Sequence, residues 1–229
     1  MNDLFGMTGP SLPPARGGAP DSLVILLHGV GADGNDLIAI GREWAGHLPG
    51  TEFVSPHAPF PYDMAPFGRQ WFSLRDRSPE RILAGVQATA PILNGYIDAA
   101  LADRGLTDDR LALFGFSQGT MMTLYVAPRR ERACAAVVGC SGALMGSENL
   151  PSETTARPPV LLMHGSADDV VAPSALGAAE QALAEAGFNV EAHLRPGLGH
   201  GIDPFEVDRA GAFLAEKLGA GGPATAATS

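Results

Sequence analysis

The chain has 229 residues, of which 45% are hydrophobic and 17% are charged, and its formal net charge is -10. This length suits one domain with a well-buried core, and the composition excludes a disordered or fibrous protein. The acidic balance argues against binding of nucleic acid or anionic membranes through bulk charge.

The amino terminus lacks the features of an export signal, since Asp3 stands where a basic region is expected and no apolar region follows. No apolar run reaches the about 18 residues that are needed to span a bilayer. We therefore expect a cytoplasmic protein with no integral membrane association. Residues 1–21 are predicted to be an N-terminal extension, 22–218 one folded domain and 219–229 a flexible C-terminal tail of small and polar residues.

Short apolar runs recur along the chain and predict six strands. Most are continuous and rich in leucine or β-branched residues, which suits strands that are covered on both faces. The predicted strands are 23–27, 52–54, 111–114, 135–139, 160–163 and 190–194. The stretch from Cys134 to Cys140 is interpreted as one strand, along which the two cysteines lie too far apart to form a disulfide, so both are expected to be free and buried.

Helices are predicted between these strands, where capping residues and glycine stops can be recognised. The predicted helices are 79–104 after Ser78 and before Gly105, 118–125, 175–186 before Gly187, and 204–218 after the capping box of Asp203 and Glu206. Alternation of strands and helices predicts an α/β fold with a mostly parallel sheet and helices on both faces. Residues 56–70 are proline-rich and are predicted to form an irregular binding loop.

The motif GFSQG at 115–119 places Ser117 between a predicted strand and a predicted helix. A tight strand-to-helix turn exposes a serine hydroxyl as a nucleophile, and the following helix N-terminus favours developing negative charge. Side chains in place of Gly115 and Gly119 would crowd such a turn. An ordinary serine in a glycine-rich turn is the alternative, and the flanking strand and helix favour the nucleophile.

A serine nucleophile needs a histidine base that is oriented by a carboxylate, and in this strand-helix arrangement the acid precedes the histidine in the chain. His200 lies in a glycine-flanked loop after the last predicted strand and is the candidate base. Asp168 and Asp169 both follow the end of a predicted strand, and the residues alone leave the choice between them open. The histidines show no HxxxH or HExxH spacing, and no CxxC is present, so no metal site is predicted.

An acyl-transfer site also needs N–H donors that point toward the oxyanion of the tetrahedral intermediate. The first predicted strand ends in LLHGVGADGND, whose glycine-rich backbone can expose such donors. The candidates are the backbone amides of Val30 and Gln118.

Taken in chain order, seven stretches resemble the phospholipase/carboxylesterase family of α/β-hydrolases, and in particular bacterial carboxylesterases similar to acyl-protein thioesterases. They are LLHGVGADGND, SPHAP, QWFSL, GFSQGTMM, CSGAL, HGSADDVVA and GHGID, and they cover most of residues 22–218. The resemblance implies an α/β-hydrolase domain without a large lid domain, a Ser-Asp-His triad and no cofactor. It assigns the roles in the triad to Ser117, Asp168 and His200, the oxyanion donors to Val30 and Gln118, and substrate contacts to Gly31, Trp71, Phe72 and Met145.

The resemblance implies a serine esterase that hydrolyses carboxylic esters of small to medium acyl chain through an acyl-enzyme intermediate. One alternative is an acyl-protein thioesterase or lysophospholipase. Another is a hydrolase-fold binding protein without catalysis, which the intact motifs disfavour. The expected partner is a small-molecule ester or thioester and no nucleic acid, and the sequence is also compatible with a homodimer.

Overall fold

The computed structural model describes residues 7–219. The first six residues of the predicted N-terminal extension and all of the predicted C-terminal tail except Gly219 lie outside these described residues. Residues 11 and 12 add a strand to the sheet, and Met7 is buried against the hydrophobic core.

The structure contains each of the six predicted strands within two residues of its predicted bounds, together with three short strands that the sequence does not predict. In chain order the strands are β1 Ser11–Leu12, β2 Ser22–Leu27, β3 Thr51–Val54, β4 Phe60–Pro61, β5 Arg69–Gln70, β6 Leu111–Phe116, β7 Ala136–Cys140, β8 Val160–Gly165 and β9 Val190–Arg195. Seven of them form one sheet in the order β1-β3-β2-β6-β7-β8-β9. All pairings in it are parallel except that of β1 with β3.

The four predicted helices are also confirmed, and within the described residues two further α-helices precede or separate them. In chain order the helices are α1 Gly34–Trp44, α2 Pro79–Ala102, α3 Gln118–Val126, α4 Leu150–Glu153, α5 Ser174–Glu185 and α6 Pro204–Leu218. The Asp33 side chain caps α1 by accepting a hydrogen bond from the Asn35 amide. No helix within residues 7–219 combines the length and the apolar character that a membrane crossing requires.

Alternate residues of the central strands face two different helical layers. In β2, Leu23, Ile25 and Leu27 pack with residues of α2, α3 and α5, whereas Val24 and Leu26 pack with α1 and α6. Every residue of β2 is therefore buried, which explains why the strand is a continuous apolar run and not an alternating one. The predicted arrangement of a mostly parallel sheet with helices on both faces is confirmed, and residues 7–219 contain no large lid domain.

The interpretation of Cys134 to Cys140 as one strand is wrong. β7 begins only at Ala136, where pairing with Ala112 of β6 starts, so Cys134 precedes the strand and Cys140 ends it. Both thiols are free and buried, as predicted. Burial raises the pKa of both thiols, so neither is a reactive thiolate near neutral pH.

The prediction that 56–70 has no regular structure is also wrong, because β4 and β5 form a small antiparallel hairpin there. Phe60 pairs with Gln70 and Pro61 with Arg69. Proline is compatible with such a short two-stranded hairpin because its missing N–H can face away from the partner strand. Gly68 has a φ of 83°, and a side chain there would overlap the backbone of Gly31, so glycine allows this hairpin to lie directly on the turn after β2.

Candidate active site

Ser117 occupies a single-residue turn between β6 and α3, at the carboxyl edge of the sheet. Its backbone has φ 55° and ψ -115°, in the left-handed half of φ space that non-glycine residues rarely adopt. A Cβ on Gly119 would overlap the Leu27 carbonyl, and one on Gly115 would overlap the backbone of Gly119 and Thr120. The two glycines therefore allow α3 to pack closely against β2 and β6 while the serine projects from the turn.

Ser117, His200 and Asp168 are joined by two hydrogen bonds, although they come from three separate segments. The Nε2 atom of His200 lies 3.1 Å from Ser117 Oγ, and its Nδ1 atom lies 2.8 Å from Asp168 Oδ2. Asp169, the other candidate acid, is exposed to solvent. An ionised carboxylate can only accept hydrogen bonds, so Nδ1 carries the proton and Nε2 is free to accept the serine hydroxyl proton.

The carboxylate of Asp168 is held in its ionised form by the donors around it. Its Oδ1 atom accepts hydrogen bonds from the amides of Val170 and Val171, each at 2.9 Å. Burial alone would raise the pKa of Asp168, but the hydrogen bonds from His200, Val171 and Val170 outweigh burial and hold that pKa below its ordinary value. Asp168 can therefore orient His200 and stabilise it when it takes up a proton.

The loop between β9 and α6 carries His200 and is held in place by contacts on both of its sides. On the β8 side, the Ala167 amide donates to the Leu198 carbonyl at 2.9 Å, and Gly165 leaves room for the loop backbone. On the other side, Asp203 caps α6 and forms an ion pair with Arg195 at 2.9 Å. The loop thus holds the imidazole beside Ser117 without help from a lid.

The turn after β2 is fixed by a buried histidine. His28 Nε2 accepts a hydrogen bond from the Ala58 amide at 3.0 Å, so its Nδ1 carries the proton and donates it to the Gly29 carbonyl at 2.7 Å. Burial lowers the pKa of His28, which keeps the ring neutral. A Cβ on Gly29 would lie 3.3 Å from Ser117 Cβ, so this turn, with the adjacent Val30, lies next to the serine.

The side chain of Gln118 has a structural role that the sequence analysis does not predict. It is buried, and its Oε1 accepts a hydrogen bond from the Trp71 amide at 3.0 Å. Its Nε2 donates to the Phe72 carbonyl at 2.7 Å. The only hint in the sequence is the amide side chain itself, since these contacts join segments 46 and 47 residues apart.

The segment from Arg69 to Phe72 also bonds to the turn after β2. The Gly31 amide donates to the Arg69 carbonyl at 2.8 Å, and the Arg69 amide donates to the Ala32 carbonyl at 2.8 Å. We call residues 69–72 the brace. It is hydrogen-bonded to Gln118 on one side and to the turn that contains Val30 on the other, so it couples the positions of the two predicted oxyanion donors.

Of the four predicted substrate contacts, two are buried. Trp71 is 0% exposed and Phe72 is 3% exposed, so neither ring is accessible to a substrate in this conformation. Trp71 instead donates its ring N–H to the His28 carbonyl at 2.9 Å and supports the site from within the core. This corrects the expectation that these two rings contact the substrate directly.

The other two predicted contacts, Gly31 and Met145, are partly exposed. Gly31 has a φ of 82° and lies beneath the Tyr62 ring. Met145 lines a groove of about 260 Å³ together with Pro79, Leu83 and Leu144. The loop that leads to Met145 begins beside the serine, because a Cβ on Gly142 would lie 2.8 Å from the Ser117 carbonyl oxygen. Within residues 7–219, no three His, Cys, Asp or Glu side chains are grouped as metal ligands.

Comparison with known proteins gives a family match over most of the chain. Residues 15–218 match the family model described as phospholipase/carboxylesterase. Acyl-protein thioesterase 1 of Neurospora crassa is 29% identical over 212 residues, which cover 85% of this chain and 86% of that protein. Esterase YpfH of Escherichia coli is 29% identical over 202 residues, which cover 88% of this chain and 83% of that protein.

A solved structure is similar along almost the whole chain. The crystal structure of esterase PE8 matches with a TM-score of 0.89 at 40% sequence identity. The match covers 93% of this chain and 99% of that chain.

Proposed function

Because the chain belongs to the phospholipase/carboxylesterase family of ester hydrolases, we propose that it cleaves carboxylic esters of small to medium acyl chain through an acyl-enzyme formed on Ser117. The chain has the α/β-hydrolase fold, and the family's chemistry is the hydrolysis of esters or thioesters. The observation that carries the finer proposal is the pair of hydrogen bonds that links Ser117 Oγ through His200 to Asp168.

In the first half of the reaction, Ser117 Oγ attacks the acyl carbon of the ester while His200 Nε2 takes the hydroxyl proton. Asp168 keeps the proton of the imidazole on Nδ1 and stabilises the imidazolium that forms. As the tetrahedral intermediate collapses, the bond from the acyl carbon to the alcohol oxygen breaks. His200 gives its proton to that oxygen, which leaves as the alcohol.

In the second half, a water molecule replaces the alcohol beside His200. The imidazole takes a proton from this water as it attacks the acyl carbon of the acyl-enzyme. As the second tetrahedral intermediate collapses, the bond from the acyl carbon to Ser117 Oγ breaks, His200 returns the proton to Oγ, and the carboxylic acid is released. The backbone amides of Val30 and Gln118 donate to the oxyanion in both halves, and no step uses a cofactor.

The brace predicts a specific effect of the Gln118 side chain on catalysis. Gln118→Met keeps the backbone amide and a similar side-chain volume but removes both hydrogen bonds to the brace. Because the two oxyanion donors then lose their common support, we expect kcat to fall by roughly ten- to a hundredfold, with KM changed much less. Steady-state kinetics on a soluble ester measure both constants.

Gln181→Met is the matched control, since Gln181 is exposed on α5 and its side chain forms a hydrogen bond with Glu185, away from the site. We expect this variant to keep the wild-type kcat. A Gln118→Met enzyme that folds and retains full kcat would show that the brace has no part in catalysis.

A groove of about 260 Å³ beside Met145 follows the loop that begins next to Ser117, and short or medium acyl groups are proposed to bind along it. We expect kcat/KM to be highest for esters between butyryl and octanoyl and to fall toward palmitoyl. A panel of esters that differ only in the acyl chain, assayed below their micelle-forming concentrations, tests this expectation.

The second candidate function is thioester hydrolysis on acylated proteins, favoured by the similarity to acyl-protein thioesterase 1. Thioesters that match each member of the ester panel distinguish the two functions. A kcat/KM that rises up to the palmitoyl thioester would favour the thioesterase and contradict the proposed chain-length preference.

A further inference from the structure

A second histidine, His164, contacts the carboxylate of Asp168. It lies near the end of β8, and its side chain is 1% exposed while that of Asp168 is 0% exposed. His164 Nε2 is 3.1 Å from Asp168 Oδ2 and 3.0 Å from the Val171 carbonyl oxygen. The mechanism given above does not use this residue.

The neighbours of His164 determine where its proton lies. A carbonyl oxygen and an ionised carboxylate are both acceptors, so an unprotonated Nε2 at these distances would face two oxygen atoms with its lone pair. The proton is therefore on Nε2, which donates it to Val171 O and lies 3.1 Å from Asp168 Oδ2. The N–H dipole of His164 thus lies beside the same carboxylate oxygen that His200 contacts.

The Asp168 carboxylate accepts three hydrogen bonds, and His164 is a further polar neighbour. Its Oδ1 accepts from the amides of Val170 and Val171, its Oδ2 pairs with His200 Nδ1, and His164 Nε2 lies 3.1 Å from the same Oδ2. These contacts restrict rotation of the carboxylate about its bond to Cβ. The N–H dipole of His164 also stabilises the negative charge on Oδ2, which limits how strongly that oxygen attracts a protonated His200.

We propose that His164 is a positioning residue of this site, which acts through Asp168 to orient His200 and to limit how strongly that carboxylate stabilises the protonated imidazole. The inference rests on the proposed function for its kinetic consequence. The titratable groups in contact here are Asp168 from the loop after β8, His164 from β8 itself and His200 from the loop after β9, while Asp169 is exposed.

Two substitutions separate the polar contact between His164 and Asp168 from simple packing. His164→Leu fills a similar volume without a donor, whereas His164→Gln can place an amide N–H near the position of Nε2. We expect the leucine variant to lose about tenfold in kcat/KM and the glutamine variant to retain most of it. In the leucine variant, the acid limb of the kcat/KM–pH profile shifts to higher pH, because Asp168 then stabilises the protonated imidazole of His200 more strongly.

The position of the acid limb decides the outcome. An unshifted acid limb in a folded His164→Leu enzyme would overturn the proposal. If the leucine and glutamine variants also lose kcat/KM equally, the role of His164 is packing alone. If the leucine variant does not fold, His164→Asn takes its place, because its shorter side chain cannot reach Asp168.

Failure of the proposed function is distinguishable from failure of this inference. If the wild-type protein hydrolyses no ester or thioester, the proposed function fails, and the coupling is then measured by NMR titration of the His200 ring. A pH midpoint of the His200 titration that is higher in His164→Leu than in the wild type supports the coupling of His164 to His200 without any assay of activity. An unchanged midpoint overturns it.

Discussion

Replacing Ser117 by alanine is expected to lower kcat for ester hydrolysis by roughly four to six orders of magnitude. Without Oγ no acyl-enzyme can form, and only the amide donors and substrate binding remain to assist attack by water. A fluorophosphonate probe, which reacts with activated serines, should label the wild-type protein and leave Ser117→Ala unlabelled. Steady-state rates and probe labelling of the same preparations measure the two effects.

Ser152→Ala is the matched control for this substitution, since Ser152 is an exposed serine in α4. It should retain wild-type activity and labelling. The thermal unfolding of Ser117→Ala should remain cooperative, because the substitution removes a single hydroxyl whose hydrogen bond is to His200 and leaves the apolar core unchanged. Near-normal turnover by Ser117→Ala would exclude Ser117 as the nucleophile.

The second large effect concerns the acid. Asp168→Asn should lower kcat by roughly ten-thousandfold, since an amide can neither hold the productive tautomer of His200 nor stabilise its protonated form. Asp169→Asn should change kcat by no more than a few fold, because Asp169 is exposed and, of the two aspartates, it is Asp168 that forms the hydrogen bond with His200. The two variants carry the same change of carboxylate to amide at adjacent positions, so each is a control for the other.

Parallel measurement of kcat for the two asparagine variants gives a clear result. A larger loss in Asp169→Asn than in Asp168→Asn would show that the second aspartate is the acid. In that case the loop after β8 would have to adopt a different conformation during catalysis. Comparable large losses in both would indicate that the loop and not one carboxylate is needed.

The parts of the fold that could be predicted from the sequence are those with local signals. The buried parallel strands are continuous apolar runs, and α6 begins with a capping box that the structure contains as predicted. The location of Ser117 between β6 and α3 likewise follows from residues next to it in the chain. Such features depend on neighbouring residues and on burial, which the sequence records directly.

Other features depend on contacts between distant segments and have weak local signals. β1 is only two residues long and is defined by its pairing with β3. The hairpin of β4 and β5 contains Pro61, which argues locally against a strand. The α1 helix begins with Gly34 and Asn35, both poor helix formers, and it is its packing with β2 and α6 that stabilises it.

The same reason explains which parts of the candidate site could not be predicted. His164 and Gln118 lie inside recognisable motifs, yet the roles of their side chains depend on the atoms that they meet after folding. The burial of Trp71 and Phe72 could not be predicted either, because aromatic residues in an irregular loop can face either the solvent or the core.

The φ of 55° at Ser117 has a consequence for the evolution of this protein. A non-glycine residue in such a conformation costs of order 1 to 3 kcal/mol of folding free energy, which the rest of the domain must offset. Glycine at this position would adopt the same backbone with less strain but would remove the hydroxyl. Selection for stability alone would therefore drive position 117 away from serine, and a stabilised descendant of this enzyme that had lost its activity could keep the same fold.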